Sequence, residues 1–188
     1  LLQSLYQRTY RDELTGIPGR LAYDEAIRQL GKRFSVAVVS IDQLTQYANT
    51  HGKSVSEQIL KLVAPRVQAA CTDGQIFRAT GEELTLLFPG KSTTETLHTL
   101  ETIRKTAEAI SLFLRGSDRV RETYRGTTKA GGRDRELPIT LSIGVAEKLT
   151  DSATLSLVIK SAYLALYEAK GIGGNVVKRG PPASVPTR

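Results

Sequence analysis

The run FSVAVVSI at residues 34–41 restricts the fold of this chain more than any other feature. A nearly continuous apolar run of this length, rich in β-branched residues, is typical of a strand buried on both faces of a sheet. Such a strand needs a covering layer on each side, and amphipathic helices supply those layers in many small domains. The run therefore predicts a central strand between two layers of helices.

Helices and shorter strands surround this run in a regular order. Apolar residues at helical spacing predict helices over 21–31, 55–70, 92–114 and 154–171. Ser92 or Thr93 is the expected N-cap of the third helix. A hairpin of 73–79 and 83–89, a strand over 137–147 and a short strand over 175–178 complete the pattern. This order predicts a single α+β domain, an α/β sandwich in which helices cover the sheet.

The net charge of +7 is concentrated in one segment. Between Arg115 and Arg135 there are seven basic and three acidic residues, which leaves +4 in a stretch with few apolar residues. This composition predicts a basic loop insertion over 115–136, solvated or disordered, with an anion- or partner-binding loop as the alternative. Aromatic residues are not interleaved with the basic ones as base stacking requires, so we expect no nucleic-acid binding.

Several protein classes are excluded by composition. Cys71 is the single cysteine, which excludes an internal disulfide and a Cys-rich zinc site and favours a cytoplasmic localisation. No apolar run approaches eighteen residues, so we expect no membrane contact by this segment itself. The chain contains no Met, even at position 1, and we expect it to be a piece of a longer protein. The Pro-rich residues 180–188 predict a disordered tail.

Two adjacent acids occupy the tip of the predicted hairpin, in the stretch FRATGEELTLLFPG. Glu82 and Glu83 follow Gly81 between two apolar runs. Paired carboxylates in such a turn are able to hold a metal ion over a phosphate substrate. The alternative is that both are solvated acids on a hairpin tip.

Four segments in the same order resemble the motifs of the GGDEF, or diguanylate cyclase, family. RDELTGIPGR resembles DxLTGLxNR, RATGEELTLLFP resembles RxGG(D/E)EFxxLLP, ITLSIGVAE resembles VTxSIGVA, and AYLALYEAKGIGGN resembles ADxALYxAKxxGRN. The resemblance implies a ferredoxin-like, nucleotidyl-cyclase-type central sheet with flanking helices and a degenerate GGDEF motif on the hairpin. It implies a domain over residues 13–179, preceded at 1–12 by the end of a signalling helix.

The resemblance also implies a chemistry. Active family members condense two GTP molecules into cyclic di-GMP, one GTP per subunit of a transient dimer, with two metal ions at the phosphates. On this reading Glu82 is a metal ligand, Glu83 is the neighbouring catalytic acid and Lys170 contacts the phosphates. Gly81 lets the nucleotide approach the backbone closely.

The chain departs from the family pattern at many site positions. Ser40 stands where the family has a metal-binding Asp, so Asp42 is the other candidate metal ligand. Asn49, beside the position of the guanine-reading Asn, and Glu57, at that of the guanine-reading Asp, are the candidate GTP contacts with Gly81. The remaining departures from the pattern are Thr45, Ala48, Thr80, Leu84 and Gly174. The inhibitory RxxD site is expected to be absent, since its positions hold Cys71 and Gly74.

These departures predict a degenerate, catalytically inactive GGDEF domain that acts as a regulatory or interaction module in cyclic di-GMP signalling. One alternative is a weak diguanylate cyclase that uses Glu82, Asp42 and Lys170, and another is a GTP-binding sensor without turnover. Expected partners are a second copy and other signalling domains. GTP binding is expected to be weak or absent, with Mg²⁺ only alongside nucleotide. The cytoplasmic part of a membrane-anchored bacterial sensor is a second possible location.

Overall fold

The computed structural model of the chain describes residues 10–115, 119–124, 135–151 and 153–183. In chain order the elements are α1 (Arg20–Arg28), β1 (Phe34–Ile41), α2 (Leu44–His51), α3 (Lys53–Ala70), β2 (Gln75–Phe77), β3 (Leu84–Pro89), α4 (Thr93–Glu108), β4 (Ile110–Arg115), β5 (Arg119–Tyr124), β6 (Arg135–Pro138), β7 (Leu141–Glu147), α5 (Leu155–Gly171) and β8 (Val177–Arg179).

The central sheet has five strands in the order β2-β3-β1-β7-β8. β1 pairs antiparallel with β3 and β7, and β8 pairs parallel with β7. All eight residues of β1 are buried, as the apolar run predicts. The predicted hairpin is confirmed by the antiparallel pairing of β2 with β3. The α+β fold class is therefore confirmed, with a mixed central sheet.

Two core clusters pack on opposite faces of this sheet. Successive side chains of a strand point to opposite faces. Accordingly Val39 of β1 joins a cluster formed with α3 and α4, whereas Val38 joins a cluster formed with α1 and α5. Gly144 of β7 allows the close approach of α5, since a Cβ there would lie 2.1 Å from the carbonyl oxygen of Ala162. The amphipathic helices thus cover both faces, as predicted.

The predicted helix over 92–114 is correct only in its first part. The helix begins at Thr93 after the N-cap Ser92, whose side chain and that of Glu95 form a capping box, but it ends at Glu108. Residues 110–115 form β4, in which Ile110, Leu112 and Leu114 are buried. Ser111 is buried as well, but the apolar side chains that join one core cluster occupy alternate positions, which is the period of a strand. Short apolar runs do not distinguish a helix from a strand by sequence alone.

A second, three-stranded sheet in the order β5-β4-β6 corrects two further predictions. β5 lies inside the segment predicted as the loop 115–136, of which 116–118 and 125–134 lie outside the described residues. The single strand predicted over 137–147 is two strands in different sheets, because β6 ends at Pro138 and β7 begins at Leu141. The helix α2 was not predicted, and its Tyr47 hydroxyl donates to the Pro138 carbonyl oxygen at 2.8 Å.

The chain termini lie partly outside the description. Residues 1–9 of the predicted signalling helix and 184–188 of the predicted tail are not described. The prediction of a disordered tail is wrong for residues 180–183. The Gly180 amide donates to the Val145 carbonyl oxygen at 2.7 Å, the Ser161 hydroxyl donates to the Pro181 carbonyl oxygen, and Ala183 is 5% exposed. Within the described ranges, no helix has the length and apolarity to cross a membrane.

Candidate functional site

One end of the central sheet gathers the segments that carry the predicted site residues. Val39 pairs with Leu84, Ser40 with Ser142, and Ile143 with Val177. Four segments therefore meet at this end of the sheet: the end of β1, the turn before β3, the start of β7 and the loop before β8. The topology brings Ser40, Asp42, the acid pair and the loop after α5 to one end of the sheet.

Glu82 and Glu83, the acid pair, lie on a turn whose backbone is fixed by a side-chain hydrogen bond. Glu82 is exposed and Glu83 is half-buried. Gly81 has a φ of +63°, a conformation that favours glycine. Its carbonyl oxygen accepts a hydrogen bond from Arg78 Nε at 3.0 Å. The tip is thus fixed through its backbone, by the bond from Arg78 to Gly81.

Arg78 connects this turn to the first motif of the chain. Its Nη1 lies 2.9 and 2.8 Å from the two carboxylate oxygens of Asp12, and Thr15 donates to Asp12 through its amide and hydroxyl at 2.8 and 2.6 Å. Burial is the largest influence on the pKa of Asp12 and acts to raise it, but the hydrogen bonds from Thr15 and Arg78 together lower that pKa below its ordinary value. The motif DELTG therefore braces the hairpin.

Asp42 has a different environment from the acid pair. Its Oδ2 accepts from the Thr140 hydroxyl at 2.7 Å and from the backbone N–H of Asn175 at 2.9 Å, and its Oδ1 accepts from the Ser142 hydroxyl at 2.6 Å. Both carboxylate oxygens are engaged in joining β1 to β7 and to the loop before β8. This set of bonds favours a structural role for Asp42.

The loop between α5 and β8 is held from two sides. Asn175, with a φ of +53°, accepts from Arg104 Nη1 at 2.8 Å and donates to Glu108 at 3.2 Å. Hydrogen bonding with Glu101 is the main reason that the pKa of Arg104 is raised. Lys170, near the end of α5, is exposed. Sequence reasoning missed Arg104, although acids three residues before and four after it signal a fixed guanidinium.

The two candidate guanine contacts lie on neighbouring helices. Asn49 is exposed on α2, and Glu57 lies on the first turns of α3. Lys53 Nζ and Glu57 Oε1 are 3.5 Å apart, with side chains 88% and 45% exposed. So exposed a pair holds Glu57 only weakly, and its carboxylate is accessible to a ligand.

The description "Diguanylate cyclase, GGDEF domain" belongs to a family model that matches residues 9–176. The chain belongs to the GGDEF family. It is 31% identical over 170 residues to the diguanylate cyclase VdcA of Vibrio cholerae, covering 88% of this chain and 45% of VdcA. It is 26% identical over 180 residues to the cyclic di-GMP phosphodiesterase NbdA of Pseudomonas aeruginosa, covering 92% of this chain and 21% of NbdA. The chain thus spans less than half the length of either relative.

A solved structure confirms the predicted cyclase-type sheet. The coiled coil and GGDEF domain of DgcB from Caulobacter crescentus, in complex with cyclic di-GMP, matches with a TM-score of 0.75 at 24% identity. The match covers 95% of this chain and 90% of the DgcB chain. At this level of identity the likeness supports the fold alone.

Metal donors are sparse in this GGDEF domain. Across the described ranges, no group of three or more His, Cys, Asp or Glu side chains is placed to hold a metal ion. Ser40, at the end of β1, is buried and offers a neutral hydroxyl. A hard divalent cation prefers carboxylate oxygens, and the carboxylate nearest to Ser40 in sequence, Asp42, already accepts three hydrogen bonds.

Tyr163 on α5 is a neighbour of the acid pair that sequence reasoning missed. Burial is the main reason that the pKa of Tyr163 is raised, and the charge of Glu83 adds to that rise. Its ring lies 6.2 Å from the ring of Tyr167 between centroids. The helical motif AYLALYEAK places both tyrosines on one side of α5, which is the only sequence signal that would have suggested them.

The position of the family's inhibitory site is packed by other residues. A Cβ at Gly74 would lie 2.5 Å from Cε1 of Phe88, so no side chain fits there without displacing that ring. Burial raises the pKa of the Cys71 thiol to about 11. Both residues line a groove of about 480 Å³. Among the described residues that line it, Glu25 is the charged one. Neither the arginine nor the aspartate of the family site has a counterpart here.

Proposed function

We propose that this GGDEF domain does not synthesise cyclic di-GMP and serves as a regulatory or interaction module in cyclic di-GMP signalling. The observation that carries the proposal is the hydrogen bonding of Asp42, which leaves the end of β1 without a free carboxylate to share a metal ion with Glu82. The scaffold around it is complete, with both core clusters and all four motif segments in place.

The donor set does not fit a two-metal site. Glu82 supplies one exposed carboxylate, whereas Ser40 supplies a neutral hydroxyl. Moving Asp42 toward a metal would break its bonds to Thr140, Ser142 and Asn175. Because phosphoryl transfer of this type relies on metal ions to activate and neutralise oxygens, the missing ligand removes a central requirement of the reaction.

The phosphate contacts are also depleted. Lys170 remains at the end of α5, but Gly174 provides no cation, and its φ of +77° does not suit a side chain. If each lost charged contact costs roughly 2–4 kcal/mol of transition-state stabilisation, two or three such losses reduce turnover by several orders of magnitude. A weak cyclase that uses Glu82, Asp42 and Lys170 would have to work against this deficit.

The turn at Gly81 and the candidate guanine contacts favour a second candidate function, GTP binding without turnover. The Gly81 turn retains a positive φ, a Cβ there would meet only Glu83 Oε2 at 3.6 Å, and Asn49 and Glu57 are accessible. These features support a domain that binds GTP without turnover. The affinity is expected to be low, because the triphosphate would meet few cations.

The relatives are compatible with a module inside a larger protein. The matched region is 21% of NbdA, a protein whose name states a phosphodiesterase activity, and 45% of VdcA, whose name states a cyclase activity. A region similar to this chain therefore occurs in proteins whose names state opposite activities. In this chain we place its role in contacts with a second copy or with other signalling domains, in the cytoplasm.

Product formation tests the proposal directly. The chain at high concentration is incubated with GTP and Mg²⁺ or Mn²⁺ beside VdcA, and nucleotides are separated by chromatography. We expect no cyclic di-GMP from the chain. Product that disappears in Glu82→Ala would overturn the proposal in favour of the weak cyclase. Calorimetric titration with GTP separates the remaining two readings, since binding that Glu57→Ala abolishes would identify the sensor.

A further inference from the structure

The outer face of α5 carries an apolar stripe close to the acid pair. Leu164, Tyr167 and Ile172 are 50%, 64% and 61% exposed, and they are three of the five exposed large hydrophobic residues in the described ranges. Tyr163 lies beside Tyr167 and is half-buried. Ile172 lies directly after the end of the helix, and we call Tyr163, Leu164 and Tyr167 the α5 stripe. Single exposed apolar residues are ordinary, but a group on one helix face marks a contact surface.

Lysines flank the α5 stripe. Lys160 lies one turn before Leu164, and Lys170 lies one turn after Tyr167. Both are exposed, and neither forms an ion pair within the part of the chain that the structure describes. Ten residues of helix separate them by about 15 Å. Glu168, which lies between them, is already paired with Lys178 at 3.3 Å. Each end of the stripe therefore carries one exposed lysine, and the charge of Glu83 acts on Tyr163 from the hairpin.

We infer that the α5 stripe docks an amphipathic helix of a partner protein, with acidic residues at both ends of that helix's apolar face. Apolar anchors at helical spacing with complementary charges at the rim are the usual form of such contacts. The inference rests on the proposed function, since a domain that acts by contact needs a contact surface.

Charge disfavours a second copy as the occupant. A two-fold contact is self-complementary, so antiparallel packing of two α5 stripes would place Lys160 of each copy near Lys170 of the other. Like charges would then meet at both ends, which is destabilising. An acidic helix satisfies the same lysines and covers the same apolar side chains.

Two synthetic 18-residue helices test the inference. Both present leucines on one face, and one carries Glu while the other carries Lys at the two ends of that face. Fluorescence anisotropy then measures their binding to the 188-residue chain. We expect the Glu-flanked helix to bind preferentially, and Lys160→Glu with Lys170→Glu to weaken it about fivefold or more and to reverse the preference.

Apolar variants provide the matched comparison. Tyr167→Ser is expected to weaken binding of the Glu-flanked helix by about tenfold or more, because exposed aromatic anchors dominate such contacts. Leu149→Ser is the control, since Leu149 is 56% exposed but follows β7 at the opposite end of the sheet, and it should leave binding unchanged.

Four outcomes would overturn the inference: no binding of either helix, equal binding of both, a dimer in sedimentation that Tyr167→Ser abolishes, or binding to phosphatidylglycerol vesicles that the double charge reversal abolishes. The third outcome would assign the stripe to a second copy and the fourth to a membrane surface. Failure here with no cyclic di-GMP formed leaves the proposed function intact, whereas cyclic di-GMP formation removes the proposed function independently of peptide binding.

Discussion

The hairpin tip and the junction of β1, β7 and β8 lie at the same end of the sheet, yet their acids have contrasting surroundings. At the junction, Asp42 accepts three hydrogen bonds from Thr140, Ser142 and Asn175. At the tip, Glu82 is exposed and the turn is held through the backbone of Gly81.

This difference separates two reasons for an acid to be present in a family motif. Asp42 joins three chain segments, so the fold requires it whether or not the domain turns over substrate. Glu82 joins nothing that the fold needs, and its presence is explained only by a ligand or by solvation. A retained acid in a motif therefore bears on ligand binding only at positions like that of Glu82, and even there solvation explains it equally well.

The largest expected effect follows from removing each acid in turn. Asp42→Ala leaves two hydroxyls and one amide without their acceptor, and we expect the free energy of unfolding to fall by about 3 kcal/mol. Glu82→Ala is the matched control, and it should change the free energy of unfolding by less than about 0.5 kcal/mol. Urea denaturation of the 188-residue chain measures both. Equal effects would break the distinction between junction and tip.

A substitution at Gly174 tests the junction more specifically, with a somewhat smaller expected change in the free energy of unfolding. Its φ is +77°, and a Cβ there would lie 2.9 Å from Cγ of Asp42. We expect Gly174→Ala to lower the free energy of unfolding by about 2 kcal/mol. Gly171→Ala is the control, because a Cβ at Gly171 meets nothing within 4 Å. If thermal or urea denaturation shows the two variants to be alike, Asp42 does not fix the loop.

The smallest effect concerns the brace between Asp12 and the hairpin. The pKa of Asp12 is lowered in the folded chain, so its contribution to stability is complete above the unfolded pKa near 4 and is lost as pH falls through the folded pKa. Asp12→Asn should therefore cost about 1–2 kcal/mol at pH 7 and progressively less below pH of about 4. Denaturant titrations across this range measure the difference, and a difference that stays constant with pH would contradict the assignment.

Much of the fold was predictable because its signals are local. The apolar run of β1, the capping box at Ser92 and the helical spacing in α5 each lie within a few residues, and each corresponds to an observed element. The motif order likewise predicted the family. The predictions failed where a local pattern is ambiguous. The apolar run that contains Ile110 and Leu112 was predicted to extend a helix, but it forms β4 in the structure.

The candidate site divides in the same way. The sequence by itself determined which residue types are present: Glu82 and Glu83 on the tip, Ser40 where a metal ligand is expected, and Gly174 where a cation is expected. These residue identities can be read from the sequence without knowing which groups each residue contacts in the fold.

The tertiary structure alone decided what Asp42 does. The groups that donate hydrogen bonds to Asp42 lie 98, 100 and 133 positions away along the chain, so no local sequence pattern could reveal them. The packing of Ala183 against the second core cluster, where composition predicted disorder, has the same origin. In both cases a side chain's role depends on the groups that folding brings against it, and hydrogen bonding and burial are properties of that assembled neighbourhood.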